Sequence, residues 1–423
     1  MSNPIDVLRS RGFVHDLTDE TGLRHLFDTE RVTYYVGYDP TAPSLHIGNL
    51  VGMMAQAWLQ RSGHRPIAVA GGGTGRIGDP SGRDEERELL SPPHLQRNIE
   101  AIRRQLAQVI DFTDGLLLDN AEWLSPLAFI DFLRDVGKHF SINTMIARES
   151  VKRRLTEREH GISYTEFSYQ LLQAYDFAHL YAAHGCKLQC GGSDQWGNIT
   201  AGIDLTRRLH GAQVYGLVWP LIEASGGRKF SKSTGEAVWL DADLTSPYAL
   251  YQWFFNTTDA DTVPFLKLFT FLGLDEIAEL EAESKKDPGG RAAQRALAEE
   301  VTRVVHGAAG LASAQQATRV LFGDEPLTDI DDRTLADAFE SAPSVELPRH
   351  RLDSGIQLQD LLVETGAARS KSQARRLIEQ AGISVNNRRV DDIDATVDRS
   401  DVAGTGTIVL RVGKKRYFIA RFS

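Results

Sequence analysis

The sequence predicts an α/β protein: a parallel-sheet domain, then a helical domain, then a small α+β module. Three observations carry this. Strand and helix patterns alternate from about residue 31 to 240, as in a sheet with crossover helices. The segments 39–49, 71–82 and 191–198 each begin where a strand pattern ends, the edge at which such sheets bind ligands. From about Ser246 the strand patterns stop, and they return only in a basic C-terminal stretch.

Residues 31–38 (RVTYYVGY) are β-branched and aromatic and predict a buried strand. A turn with Pro40, Pro43 and Ser44 follows. Ile47, Leu50, Val51, Met54, Trp58 and Leu59 then recur at helical spacing. Pro66–Ala70 reads as a second strand running into Gly71-Gly72-Gly73-Thr74-Gly75. Leu116–Leu118 and Lys187–Cys190 read as two more. The expected catalytic domain is 1–247 and the helical domain 248–340, with helices at Pro247–Phe271 and Arg291–His306. Residues 341–354, with Pro343 and Pro348, read as a linker. The module 355–423 is expected to hold a capped basic helix at Ser370–Ile378 and a terminal hairpin around Gly413–Tyr417.

A chain of 423 residues exceeds one ordinary core and fits two or three domains. Its hydrophobic content of 42% and charged content of 25% are those of a soluble globular protein. No apolar run is long enough to span a membrane, and no secretory signal opens the chain, so a cytoplasmic setting is expected. Cys186 and Cys190 share one strand face too far apart for a disulfide. His184 could join them on zinc, but no second ligand pair is evident, so no metal site is expected. The net charge of −10 excludes a uniformly basic nucleic-acid binder. Its distribution is uneven: residues 355–423 hold 12 Lys and Arg against 8 Asp and Glu, and the rest holds 35 against 49. A basic module on an acidic body suits a local RNA contact.

Two segments carry the chemistry. Pro40–Asn49 places His46, Gly48 and Asn49 where a strand and turn meet a helix. A helix N-terminus there offers free N–H groups and a positive dipole end to a phosphate. Gly48 permits close approach of a nucleotide, and Thr41 adds a hydroxyl. Lys229-Phe230-Ser231-Lys232-Ser233 sits among three nearby glycines and reads as a mobile surface loop whose ammonium groups can follow charge on a phosphate. His46 alone is equally a polar helix-entry residue, and the lysine segment alone is equally a solvated turn.

Together and in this order they resemble the HIGH and KMSKS motifs of class I aminoacyl-tRNA synthetases. Gly78–Gly82, Tyr169–Asp176 and Gly191–Asn198 are similar to blocks of the bacterial-type tyrosine–tRNA ligase family, so the resemblance spans nearly the whole chain. It implies a Rossmann-like catalytic domain, an α-helical anticodon-side domain and a ribosomal-protein-like RNA-binding module. It further implies ATP with Mg2+ as substrate, L-tyrosine and tRNA(Tyr) as partners, and a homodimer with Ser163–Phe167 near the interface. The implied reaction needs no covalent nucleophile, only positioning and charge stabilisation.

Residue by residue, the resemblance assigns Thr41, His46, Asn49, Arg83, Arg87, Lys229, Lys232 and Ser233 to the polyphosphate. It assigns Asp39, Gly48, Gly192 and Asp194, with His46, Asn49 and Lys232, to ATP. Tyr35 and Asp176 are the pair expected to bind the phenol, and Asp79, Tyr169 and Gln173 the ammonium cradle, with Gln195 near the carboxyl. Arg207, Arg208, Lys371, Arg375, Arg376, Lys414 and Lys415 are expected tRNA contacts. Three positions depart from the family pattern. Asn49 replaces a histidine and can still donate, Phe230 replaces a methionine, and Val36 brings no polar group to the ribose. The competing readings are a tryptophan–tRNA ligase, another adenylylating enzyme of the same superfamily, and a silent RNA-binding relative.

Overall fold

The computed structural model describes residues 2–81, 90–147, 151–152, 162–222, 237–322, 327, 330–340, 342–413 and 416–423. Arg83, Arg87, Lys229, Lys232, Ser233, Lys414 and Lys415 lie outside the described residues. The chain forms two compact units. One comprises 1–241 with 257–300, and the other 242–256 with 301–423.

The first unit is built on a six-stranded sheet of β1 (Asp16–Leu17), β2 (Thr33–Tyr38), β3 (Arg65–Ala70), β4 (Leu116–Asp119), β5 (Cys186–Gly192) and β6 (Tyr215–Trp219). Their order is β1-β6-β5-β2-β3-β4, parallel except for the short β1 on the edge. The four strands expected from sequence are there. β6 was not foreseen: YGLVW is buried on both faces and so shows no alternation.

Alternation along β2 decides what each face meets. Tyr34 and Tyr38 point to helix α3 (Ile47–Arg61), where their hydroxyls donate to the Gln56 carbonyl and to Gln56 Oε1 (3.1 Å). Tyr35 points the other way and packs with Ile67, Val69, Phe177 and Leu180. Phe177 and Leu180 belong to the helix Tyr164–His184, which is capped by Ser163 at one end and by Gly185 (φ 64°) at the other. Cys186 and Cys190 are free and buried on β5, and burial pushes both thiols up.

The second unit holds a five-stranded sheet of β7 (Ser344–Leu347), β9 (Ile383–Val385), β10 (Arg388–Val390), β12 (Thr407–Val412) and β13 (Arg416–Phe422), in order β10-β9-β12-β13-β7. A small pair, β8 (Ile356–Gln357) and β11 (Thr396–Val397), stands beside it. Both faces of the larger sheet are covered. Leu410, Ala420 and Phe422 pack with Leu361, Ala374 and Ile378 on one side. Val409 and Ile419 pack with Tyr248, Ala317 and Val320 on the other.

Two domain expectations change. Residues 341–354 are not a free linker, because Ser344–Leu347 pairs parallel to β13 as the edge strand. The 248–340 segment is not one helical body. The helices Asp259–Phe269 and Leu274–Lys286 belong to the first unit, whereas Pro247–Phe255 belongs to the second. The long helix Ala292–Phe322 breaks at Gly307 (φ 70°), a backbone conformation that suits glycine. The basic helix is Lys371–Glu379, with Ser370 accepting from the Gln373 N–H as its N-cap.

Candidate active site

A cavity of about 570 Å3 opens at the C-terminal ends of β2, β3 and β5. The turn after β2 brings Asp39, Thr41, His46, Gly48 and Asn49 to its wall. The ends of β3 and β5 bring Asp79, Gly192, Asp194 and Gln195, and the Tyr164–His184 helix brings Tyr169, Gln173 and Asp176. Every residue expected to bind tyrosine or ATP that the structure describes lines this one space.

The helix end is built differently from the expectation. His46 is the N-cap of α3. Its Nδ1 accepts from the Gly48 N–H (3.1 Å), and Asn49 Oδ1 accepts from the His46 N–H (3.0 Å). The Ile47 N–H donates to the Val238 carbonyl, and the Asn49 N–H to the His46 carbonyl. The first three N–H groups of α3 are therefore committed inside the protein. What α3 offers a phosphate is its dipole end, the His46 ring and the Asn49 amide nitrogen. A neutral imidazole whose Nδ1 accepts carries its proton on Nε2, so the ring is set as a donor.

At the other end, Tyr35 is 2% exposed and its hydroxyl has no hydrogen-bond partner among the described residues. Asp176 is buried too. Its carboxylate accepts from Trp123 Nε1 (2.7 Å) and Asn120 Nδ2 (2.9 Å). Burial drives its pKa up, those two hydrogen bonds pull it down, and the nearby Asp39 raises it again, leaving it at about 7. Tyr35 and Asp176 are not bonded to each other; both face the cavity. Burial first, and the charge of Asp176 second, hold the Tyr35 phenol well above its ordinary pKa, so it stays a neutral donor.

Between the two ends lies an acidic, amide-rich wall. Asp39 accepts from Thr74 Oγ1 (2.8 Å) and from the Tyr169 hydroxyl (2.9 Å). Asp79 accepts from Gln195 Nε2 (2.6 Å) and from the Ser81 N–H (2.9 Å). Asn198 Nδ2 donates to Gln173 Oε1 (3.1 Å) and to Gln195 Oε1 (3.2 Å). Burial, and secondarily Asp79, raise the pKa of Asp194. A side chain at Gly71 would stand 2.1 Å from Asp39 Oδ1, so this wall needs glycine there.

Three residues escape the sequence reading. Asn120 ties the wall together, accepting from the Gly73 N–H (2.7 Å) and donating to Thr74 Oγ1 (3.0 Å) as well as to Asp176. Trp123 stacks on His179 at 4.6 Å. Gln189, inside β5, lines the cavity, and its buried Oε1 has no hydrogen-bond partner among the described residues. The one available signal was that Asn120 directly follows the end of β4, as the recognised segments follow their strands.

The expected tRNA contacts are not brought together by the described geometry. Arg207 and Arg208 both pair with Asp204 on their own helix. Lys371 pairs with Asp360 and Arg375 with Glu379, all near the surface, while Arg376 makes no ion pair among the described residues. The aromatic residues of the hairpin are packed: Tyr417 against Phe339 and Phe418 against the core. Among the described residues no group of three or more His, Cys, Asp or Glu side chains is arranged to hold a metal, and no helix is long and apolar enough to cross a membrane.

A cavity at the strand ends of a parallel sheet, with a helix-capping histidine on its wall and buried carboxylates beside it, is where ligands bind in nucleotide-binding α/β proteins. The family of class I tRNA synthetases (W and Y) matches residues 28–323. The C-terminal domain of the tyrosine–tRNA ligases matches residues 334–420. A tyrosine–tRNA ligase of Roseiflexus castenholzii is 51% identical over 426 residues, covering 100% of both chains. One of Rhodopirellula baltica is 46% identical, covering 99% of this chain and 96% of its own. The solved structure of a C-terminally truncated Aspergillus nidulans mitochondrial tyrosyl-tRNA synthetase superposes with a TM-score of 0.70 at 33% identity, over 76% of this chain and 95% of that one. A Plasmodium falciparum tryptophanyl-tRNA synthetase shares the fold alone, at 12% identity, TM-score 0.55, over 79% of this chain and 87% of its own. The chain belongs to the tyrosine–tRNA ligase family of class I synthetases.

Proposed function

We propose that the protein joins L-tyrosine to tRNA(Tyr) in two steps. A carboxylate oxygen of tyrosine attacks the α-phosphorus of ATP, the bond to the bridging oxygen breaks, and pyrophosphate leaves. A ribose hydroxyl of the terminal adenosine of the tRNA then attacks the carbonyl of tyrosyl-adenylate, and AMP leaves. The observation that carries the reading is one cavity holding both an unpartnered Tyr35 hydroxyl beside Asp176 and the capped His46. A substrate phenol satisfies both pocket groups, donating to Asp176 and accepting from Tyr35. Phenylalanine would offer the Tyr35 hydroxyl no acceptor, at about 1–3 kcal/mol, and would give Asp176 nothing beyond its hydrogen bonds from Asn120 and Trp123. This family is itself the reference case for such selectivity.

In this reading Asp79, Tyr169 and Gln173 cradle the ammonium, and Gln195 lies at the carboxyl. Gly192 and Asp194 hold the adenosine ribose. His46, Thr41 and Asn49 donate to the phosphates, joined by Lys229, Lys232, Ser233, Arg83 and Arg87. Charge stabilisation at positions fixed by the fold is the main catalytic contribution. Mg2+ enters on the nucleotide as part of the substrate. The basic face of the C-terminal module contacts the tRNA, and the setting is cytoplasmic. ATP–pyrophosphate exchange measured with each amino acid in turn tests the assignment. Exchange with tryptophan but not tyrosine would overturn it, and tRNA binding with no exchange would favour the silent relative.

The Asp176 carboxyl gives a pH signature. A phenol that donates to it favours the charged form, so binding weakens once the free site is protonated. With its pKa at about 7, tyrosine KM is expected to rise as pH falls from about 8 to about 6. Asp176→Asn should flatten that rise. An unchanged pH profile in the variant would remove Asp176 from the pocket.

A homodimer is part of the proposal. Among the described residues, six of the nine exposed large apolar side chains, Phe129, Ile130, Leu133, Ile142, Ile146 and Tyr164, fall between residues 129 and 164 of the first unit. Patches of this kind mark interfaces. Ile130→Asp with Phe129→Asp is expected to shift the sedimenting species to half the mass; an unmoved boundary would place the interface elsewhere.

A further inference from the structure

Building on the adenylate-forming reading above, we propose that Gln105 is a positioning residue for the ATP half of the reaction. It stands on helix α4 (Pro92–Val109) and does not line the cavity.

The turn between β2 and α3 carries Asp39, Thr41 and His46, and α4 braces it. Asn98 Nδ2 donates to the Pro40 carbonyl (2.9 Å). One residue before His46, the Leu45 N–H donates to Gln105 Oε1 (2.8 Å), and Gln105 Nε2 donates to Ser44 Oγ (3.0 Å). The Ser44 hydroxyl is fully used. It donates to the Leu45 carbonyl (2.7 Å) and accepts a second hydrogen bond from the Asp241 N–H (3.1 Å). The Leu240 N–H donates to the same Leu45 carbonyl, and the Ile47 N–H to the Val238 carbonyl. One buried amide thus braces the turn that presents His46. Through Ser44 it also braces the 238–241 stretch, which in sequence follows the Lys229–Ser233 motif.

Gln105, Ser44 and Leu45 are 5%, 3% and 3% exposed. Water cannot replace a hydrogen bond lost there without rearrangement, so the network fixes a position as well as contributing stability. The tyrosine end of the cavity is held by other groups, Asn120 and Trp123 among them. Gln105 therefore acts on the nucleotide end selectively.

The test is exchange kinetics per titrated active site, with tyrosine affinity measured by equilibrium dialysis. Gln105→Leu preserves bulk and removes both hydrogen bonds. It is expected to lower kcat/KM for ATP by about 10–100-fold, the scale of a small misplacement of catalytic groups. Tyrosine Kd should stay within about twofold, a split that a merely structural role would not give. Gln105→Glu should recover part of the loss, because a carboxylate accepts from Leu45 and the Ser44 hydroxyl can turn to donate to it. Ser44→Ala, which keeps the Gln105–Leu45 bond and cuts the link to Asp241, reads out the same network if Gln105→Leu does not fold. Unchanged ATP parameters, or tyrosine affinity falling in parallel, would overturn the inference alone. Absence of exchange in the unaltered protein would overturn the adenylate reading and this inference with it.

Discussion

His46→Asn is expected to slow tyrosine-dependent ATP–pyrophosphate exchange by about 10²–10³-fold, the usual cost of removing one donor aimed at developing charge. The choice of asparagine matters. His46 also caps α3 through Nδ1, and alanine there would cost about 0.5–2 kcal/mol of stability and confuse the two roles. Asparagine is among the best N-caps, so the helix end is kept while the Nε2 donor is lost. Combined with Lys232→Ala, exchange should disappear. Active-site titration, kcat and thermal midpoint measured together decide it. A variant that keeps the wild-type kcat would show that the ring never meets the phosphates.

Tyr35→Phe is expected to lower activity while leaving stability nearly unchanged. The Tyr35 hydroxyl lines the cavity and makes no hydrogen bond to the described residues, so its removal breaks none inside the protein. Deleting it should leave stability within about 1 kcal/mol of the parent. Tyrosine loses a hydrogen bond in the same stroke, so its kcat/KM should fall by about 5–100-fold, and the preference over phenylalanine should narrow. A loss of activity without a loss of stability marks a group kept for its ligand. A destabilised variant with unaltered discrimination would mean that the hydroxyl serves the core instead.

The legible parts of the chain were those whose local pattern already encoded their setting. β2, β3, β4 and β5 could be read because short strand-like runs ended at glycine or polar turns, and a ligand site in a parallel sheet forms at those ends. β6 could not, since a strand buried on both faces looks like any apolar run. The cavity residues were legible as blocks, but their couplings were not. Nothing in Asn120 or Gln105 distinguishes a buried amide from a solvated one until the elements pack. The expectation of free N–H groups at α3 failed for a related reason. Val238, distant in sequence, supplies one acceptor, and the His46 ring supplies another. Arg207 and Arg208, expected as tRNA contacts, pair instead with Asp204 three and four residues earlier on their own helix, a spacing that the sequence itself carries.

The C-terminal sheet, clad on both faces, bears on how such modules can be exchanged between proteins. Val409 and Ile419 are dry only because Tyr248, Ala317 and Val320 cover them. A homologous module transplanted without that cover would present a sticky apolar plane to solvent. Excising the native one would leave the helices with a matching bare face. Swapping it thus requires recutting a shared core, as when grafting wood to living wood, and residues 242–256 and 301–340 would have to travel with the graft.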